Sequence, residues 1–563
     1  MRLLALALLA VAQAHEDPLV DPLSRQLFDF KEETKKPIGL LSTSAGKPVD
    51  LRETNTFNSD LLTNPFFIDV INHVVNERIP DREVFAKATG AHGYFEVTHD
   101  VTKYTKAKLF EKVGKKTRVL ARVGTSQIDK GGSDTTRVAV RGISFKFYTE
   151  EGNLDFLNIQ IPVYVYRDPI LFAEAVHAFR PNPKTLTRDF TAAVNFVTLN
   201  PTALHAFLWL VSEMGLPKGF RHMNVFPIHV YELYNKHGET FYVRFKFLAE
   251  LGYEPLSLEQ ADKLSGSDPN FFIRDLYNAI EMKHYPAWRL EMDVLNKDLK
   301  DLNFNPFDVT RIWPNGTYHT VPIGRIVLNR NVENQFAEVE QAAFNPANLV
   351  PGILNPPDML FKGRVFAYQN AHTHRLGVNH NKIEANCPLH YAKTYNRDGK
   401  PPVLDNMRDA PNYYPNSFNG PIATVDEAKP TSRVIPYESQ SVYLEDSRRF
   451  YNYVLHEDSQ KQRLIDNLVE LSLRIKTPVV EQFVELLLKV DKELAKRYLV
   501  SLEIAKKTRE LPATVEDLRE DEDDMMARRR EEERRAVERI LKEKEMKERR
   551  VDERRKVVYK HED

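Results

Sequence analysis

The chain has 563 residues, of which 42% are apolar and 28% charged, with a formal net charge of -1. That length exceeds one core and predicts roughly two to four compact units. The near-neutral charge supplies no global attraction to nucleic acid or to an anionic membrane surface. The one cysteine, Cys387, forms no internal disulfide, so stability has to come from core size and assembly.

In chain order, "MRLLALALLAVAQA" has basic Arg2, an apolar run and a small-x-small end at Ala12–Ala14. It reads as an export leader over residues 1–14, too short to span a bilayer, and places the mature start near His15 in a secreted chain. No later run is long and apolar enough to cross a membrane. Residues 15–65 have weak periodicity and read as an extended arm. Residues 66–330 are rich in strand patterns: 116–123, 137–149, 154–166, a hairpin over 226–248 and 287–295, with helical stretches near 168–179 and 199–214. Strands in that number, with hairpin turns, predict an antiparallel sheet or barrel. Residues 331–445 are rich in Pro and Asn, poor in regular pattern, and read as a wrapping segment. Residues 446–510 return to three- and four-residue apolar spacing, a helical domain. The tail over 511–563 alternates acid and base. It predicts a solvated helix or a disordered appendage, with a Thr514–Asp517 capping box and room for an unidentified partner. Asn315-Gly316-Thr317 matches a glycosylation acceptor.

The sharpest local pattern is "RVFAYQNAHTHRLG", residues 364–377. Arg364 and Tyr368 share one helix face at i, i+4. A guanidinium beside a phenol stabilises the phenolate, a hard anionic oxygen able to ligate ferric iron. With "RIPDREV", "GYFEVTHDVTKYTKAKLFEKVGKKT", "RDPILF", "FRHMN", "FFIRDLYNAI", "FNPFDVTRIWP", "VLNRNVENQFAEVEQAAFNPANLVPGI" and "APNYYPNSF" in this order, the chain resembles the haem catalases over most of residues 65–445. Within that family it is similar to secreted catalase-like proteins with a degenerate distal site.

The resemblance implies an α+β fold: an antiparallel eight-stranded barrel, an N-terminal arm, a wrapping segment and a C-terminal helical domain, assembled as a homotetramer. It implies haem b with Tyr368 as axial iron ligand, steadied by Arg364. Arg82, Arg122 and Arg375 match residues that pair with haem propionates, as do His229 and His372 more loosely. Val84 and Phe172 match apolar pocket walls. Asn370 departs from the family's usual Asp. At the distal positions the essential histidine matches Phe85, the essential asparagine Ile159 and the supporting serine Gly124. Asn158 and Gln160, one residue either side of Ile159, are expected to face away, and His92 reads as a structural histidine. NADPH binding is not expected: matched positions keep His205, Ser212, Asn224 and Trp313, but Met214, Leu248 and Asn315 stand at its basic or polar contacts. Peroxide cleavage needs a group that takes and returns a proton, and Phe85 cannot supply one. Three readings follow. One is a secreted haem protein with little peroxide dismutation and an apolar distal cavity for a small apolar or hydroperoxide ligand. The others are a haem-free scaffold and an active catalase or peroxidase.

Overall fold

The computed structural model describes residues 21–57, 60–127, 130–188, 190–390, 392–401, 406–434 and 441–508. The leader over 1–14, the mature start near His15 and the tail from 509, with its expected cap at Thr514, lie outside them. The chain divides into two units, residues 1–499 and 500–563. Of the second only 500–508 are described, all helical.

The arm, expected to be extended, holds helix α1 (Pro22–Glu33). Asp21 accepts from the Ser24 amide at 2.9 Å and Pro22 opens the first turn, where its missing N–H costs nothing. The same Asp21 carboxylate receives Arg274 at 3.0 Å and Asn278 at 2.9 Å, which fasten the arm to the core. Helix α2 (Pro65–Asn76) starts at Asn64, whose side chain accepts from the Phe66 and Phe67 amides.

There follow strands β1 (Ala88–Val97), β2 (Lys116–Thr125), β3 (Arg141–Thr149) and β4 (Gly152–Ile159), then helices α3 (Leu171–Phe179), α4 (Phe190–Leu199) and α5 (Leu204–Val211). Next come β5 (Tyr231–Tyr234), β6 (Thr240–Ala249), α6 (Leu258–Ser267), α7 (Phe271–Glu281), β7 (Ala287–Leu295), β8 (Tyr318–Asn331) and the two-residue β9 (Ile353–Leu354). Helices α8 (Met359–Leu376), α9 (Glu445–Arg449), α10 (Asp458–Ser472), α11 (Thr477–Val490) and α12 (Lys492–Thr508) complete the described chain. No single described helix is long and apolar enough to cross a membrane.

The described strands form one antiparallel sheet in the order β4-β3-β2-β1-β8-β7-β6-β5-β9. Its ends curl together. Ile159 at the end of β4 bridges Phe226 ahead of β5, and the Phe156 ring packs edgewise on Tyr231 at 5.5 Å and on Phe245 at 5.0 Å. This is the expected barrel of eight strands, with β9 added at one edge. Phe95, Phe145, Phe147, Phe156, Phe247 and Trp288 fill it, all fully buried.

Some elements depart from the sequence pattern. The strand expected from 137 begins at Arg141, because Val138 has φ 51° and turns the chain. The strand expected to run to 166 stops at Ile159, and Pro162 just beyond offers no ladder donor. The 331–445 segment, expected to lack regular pattern, contains the 18-residue α8. Its buried residues are Leu360 and Phe361 in the first turn and the polar His372 and Arg375 further on, so no continuous apolar stripe announced it.

Candidate functional site

Sheet register brings the sequence-distant positions together. Ala88 on β1 pairs with Gly124 on β2, Gly124 with Gly142 on β3, and Gly142 with Ile159 on β4. Directly opposed residues point to one face of a sheet, so Ala88, Gly124, Gly142 and Ile159 form a row. Phe85 lies over it. Its Cε1 is 3.3 Å from where a Cβ on Gly142 would stand. The Phe85 backbone has φ 63°, and its carbonyl accepts from Arg122 Nη2 at 2.8 Å. A bulky residue at positive φ is strained, and the Arg122 bond holds it there. None of the side chains at 85, 124 and 159 carries a proton donor or acceptor. A Cβ on Gly124 would come 2.6 Å from both the Ala88 Cβ and the Lys87 carbonyl oxygen. The row is too tight there for any side chain.

The polar neighbours turn elsewhere. Asn158 Nδ2 donates to the Ile143 carbonyl at 2.9 Å, while its buried Oδ1 has no partner. Gln160 Oε1 accepts from the Arg141 amide at 2.6 Å. His92, at a bulge in β1, is bonded through Nε2 to Glu338. Val84 is half-buried beside Phe85, and Phe172 is half-buried in the first turn of α3. Gly363 on α8 has the Pro169 ring in the place of a Cβ, which lets α8 approach the segment that leads into α3.

Helix α8 presents Arg364, Tyr368, His372 and Arg375 at spacings of four, four and three, one face of a helix. Asp358 begins it: Oδ1 accepts from the Phe361 amide at 2.8 Å, and Oδ2 meets His229 Nδ1 at 3.0 Å. Arg364 Nη1 lies 2.7 Å from His229 Nε2. A guanidinium only donates, so His229 accepts at Nε2 and donates from Nδ1 to Asp358. Burial lowers the His229 pKa, which keeps the ring neutral for this role. The Arg364 guanidinium sits 5.6 Å from the centre of the Tyr368 ring. Burial works against its charge, yet Tyr368 and the phenols of Tyr164 and Tyr231 raise its pKa above the ordinary value. Asp358, His229, Arg364 and Tyr368 therefore form one connected chain. His229, expected among the anion-pairing residues, belongs to this chain, since both its ring nitrogens are engaged.

A second cluster joins Arg82, Arg122 on β2 and Arg375 on α8. Arg82 Nη2 donates to the carbonyls of Glu340 at 3.0 Å and Ala342 at 2.7 Å, and its Nη1 is 3.3 Å from Glu340 Oε1. Arg375 Nη2 is 2.8 Å from the same oxygen, and its Nε donates to the Pro80 carbonyl. Lys130 bridges Glu340 and Asp81. Four cations thus face two carboxylates. Buried Arg122 Nε and Arg375 Nη1 have no partner. The electrostatics carry the mark of this excess. Burial, then Arg122 and Arg375, hold Arg82 well below its usual range, and burial pushes Arg122 down to about 10. Unpaired buried donors are costly. The donor set fits a group with two negative charges. His372, also expected here, instead donates Nε2 to the Phe344 carbonyl at 2.8 Å. Burial pushes its pKa down to about 3, and its buried Nδ1 has no partner.

Two groups escaped the sequence reading. Glu340, the carboxylate shared by Arg82 and Arg375, is brought in by the chain fold alone. Tyr164 and Tyr166 hold their hydroxyls 3.4 Å apart and interact electrostatically with Arg364 and Tyr368. Asp358, the helix cap that also holds His229, was not read from the sequence either.

The nucleotide-matched positions are engaged internally. His205 Nδ1 donates to the Thr310 carbonyl at 3.0 Å and its Nε2 accepts from Trp209. Ser212 donates to the Trp209 carbonyl, Asn224 accepts from the Ala249 amide, and Trp313 donates to the Pro306 carbonyl.

A curled antiparallel barrel flanked by a helix with a guanidinium-backed tyrosine and a buried cationic cradle defines a narrow class. The catalase family profile matches residues 42–420. Catalase-2 of Caenorhabditis elegans is 43% identical over 461 residues, which cover 80% of this chain and 92% of that protein. The guinea pig (Cavia porcellus) catalase is 41% identical over 482 residues, 83% of this chain and 91% of that one. The structure of catalase A from Saccharomyces cerevisiae superposes with a TM-score of 0.77 at 32% identity, covering 82% of this chain and 99% of that one. The chain belongs to the catalase family, and membership implies a haem cofactor.

Proposed function

We propose that this protein is an exported, haem-binding catalase-family member that dismutates little or no hydrogen peroxide. The observation that carries the reading is the contrast between the two halves of the site. The cationic cradle and the Tyr368 chain are in place, while the side chains at Phe85, Gly124 and Ile159 offer nothing that handles a proton.

Haem b, when bound, supplies a ferric iron and two propionates. Arg82, Arg122 and Arg375 would take the propionates, whose two charges match the cationic excess. Tyr368 would provide an oxygen ligand to the iron. Arg364 offsets the phenolate charge, His229 fixes Arg364 by accepting its proton-bearing Nη1, and Asp358 fixes the His229 tautomer. Val84 and Phe172 would line the pocket. At the row, Phe85 neither takes nor returns a proton and Ile159 cannot orient a peroxide. A positioned acid–base group is worth about 10²–10⁴-fold. A ligand of this site is therefore a small apolar molecule or a hydroperoxide that needs no help from residue 85. NADPH is not part of the proposal, because Met214 and Leu248 bring no charge to phosphate. A haem-free scaffold is disfavoured by the cost of burying the unneutralised cradle.

The test is a visible absorption spectrum of the mature protein expressed with haem supplied. A strong Soret band with ferric tyrosinate features is expected, lost or shifted in Tyr368→Phe. Oxygen evolution from peroxide in the same sample should stay near the level of free haem. A colourless folded protein would sink the haem reading, and rapid oxygen evolution would sink the non-dismutating one.

A further inference from the structure

We propose that Asn315 carries an N-linked oligosaccharide. This rests on the export reading above, since the modification occurs in a secretory lumen.

An acceptor asparagine needs a hydroxyl residue two positions on and a non-proline residue between. The chain has one such triplet, Asn315-Gly316-Thr317, and one spoiled by proline, Asn200-Pro201-Thr202. Their surroundings differ as the chemistry requires. Asn315 and Gly316 are exposed at the tip of the turn that opens β8. Gly316 has φ 84°, the conformation a type II turn requires at its third residue, and the space around it is open. The turn is anchored behind its tip. The Thr317 amide and hydroxyl both donate to the Pro314 carbonyl, at 3.2 Å and 2.6 Å, and the Asn296 amide donates to the Thr317 carbonyl at 2.9 Å. The Asn315 carboxamide has no partner among the described residues and points to solvent at no cost to the fold. Asn200 is half-buried, and its Nδ2 is committed to the Phe196 carbonyl at 3.0 Å.

The transfer is a substitution with no redox change. The Asn315 amide nitrogen bonds to the first sugar carbon of a lipid-pyrophosphate-linked oligosaccharide, that carbon's bond to the pyrophosphate breaks, and the amide loses one proton.

The experiment expresses the full chain in cultured animal cells with its own leader, and in parallel with a proven cleavable leader. Medium and lysate are treated with peptide-N-glycosidase F. Expected is a mass shift on secreted material, with aspartate at 315 afterwards by peptide mass spectrometry. Asn315→Gln and Thr317→Ala should each lose the whole shift, and Asn200→Gln should keep it. A chain lacking residues 1–14 should remain unmodified. If either form is secreted with Asn315 unmodified, the glycan proposal is overturned. Retention in the cytosol with the native leader, alongside glycosylation with the proven one, overturns the export reading and leaves the acceptor site standing.

Discussion

Phe85 has the leverage of a single residue because its backbone and its ring are held by different partners. Its φ of 63° is one that histidine tolerates better than phenylalanine does, so Phe85→His meets no new backbone penalty. Paired with Ile159→Asn it returns a proton acceptor and an orienting amide to adjacent places. The double variant should raise peroxide decomposition on the order of 10²-fold, measured by oxygen evolution, with less from either change alone. Asp134 offers a separate test at this scale. Its Oδ2 receives the Ile273 amide at the start of α7, its Oδ1 is buried without a partner, and burial pushes its pKa from 3.8 to about 6. An acid whose pKa is raised by folding holds its proton more tightly when folded. The fold therefore gains stability as pH falls through about 6 towards 3.8, and carries the full cost above that window. Asp134→Asn does not titrate. The Tm difference, variant minus parent, should be largest at pH 7 and shrink towards pH 4, an effect of at most about 3 kcal/mol.

Among elements, the row from Ala88 to Ile159 shows how one substitution constrains the next. A serine cannot simply be placed at Gly124, because its Cβ would press on the Ala88 Cβ and the Lys87 carbonyl. Gly124→Ser should destabilise the protein by about 1–3 kcal/mol, seen as a lower Tm. Ala88→Gly in the same chain should recover part of the loss, since the backbone oxygen remains. The strands carrying β2, β6 and β7 were legible from alternation. Strands β1 and β8 were not. In β1, Gly90 and Gly93 interrupt the pattern, and Gly93 sits at a bulge where the β8 backbone occupies the space of a Cβ. Helix α8 was legible only through its i, i+4 polar pair, because its buried apolar residues, Leu360 and Phe361, are confined to the first turn and polar His372 and Arg375 are buried further along.

For the whole molecule, the apolar surface left open on the arm side is the main feature. Helix α2 exposes Ile68, Val70, Ile71, Val74 and Val75, and none of its residues is buried. A patch of that kind marks an association surface, and the homotetramer that the family resemblance implies would cover it. Val74→Asp with Val75→Asp should lower the mass seen by light scattering from four chains to fewer, while circular dichroism of the barrel stays unchanged.

The sequence by itself determined what is local or ordered along the chain: the 226–248 hairpin, the Arg364–Tyr368 pair one helical turn apart, a side chain at Phe85 with no acid–base group, and the motif order that marks the family. Only the tertiary structure decided which distant residues meet. Glu340 joins Arg82 across 258 positions, His229 turns to Arg364 and Asp358, and Gly124, Gly142 and Ile159 fall into one row. Those meetings follow from strand register and chain crossing. They bring together residues tens to hundreds of positions apart, beyond the reach of any periodicity.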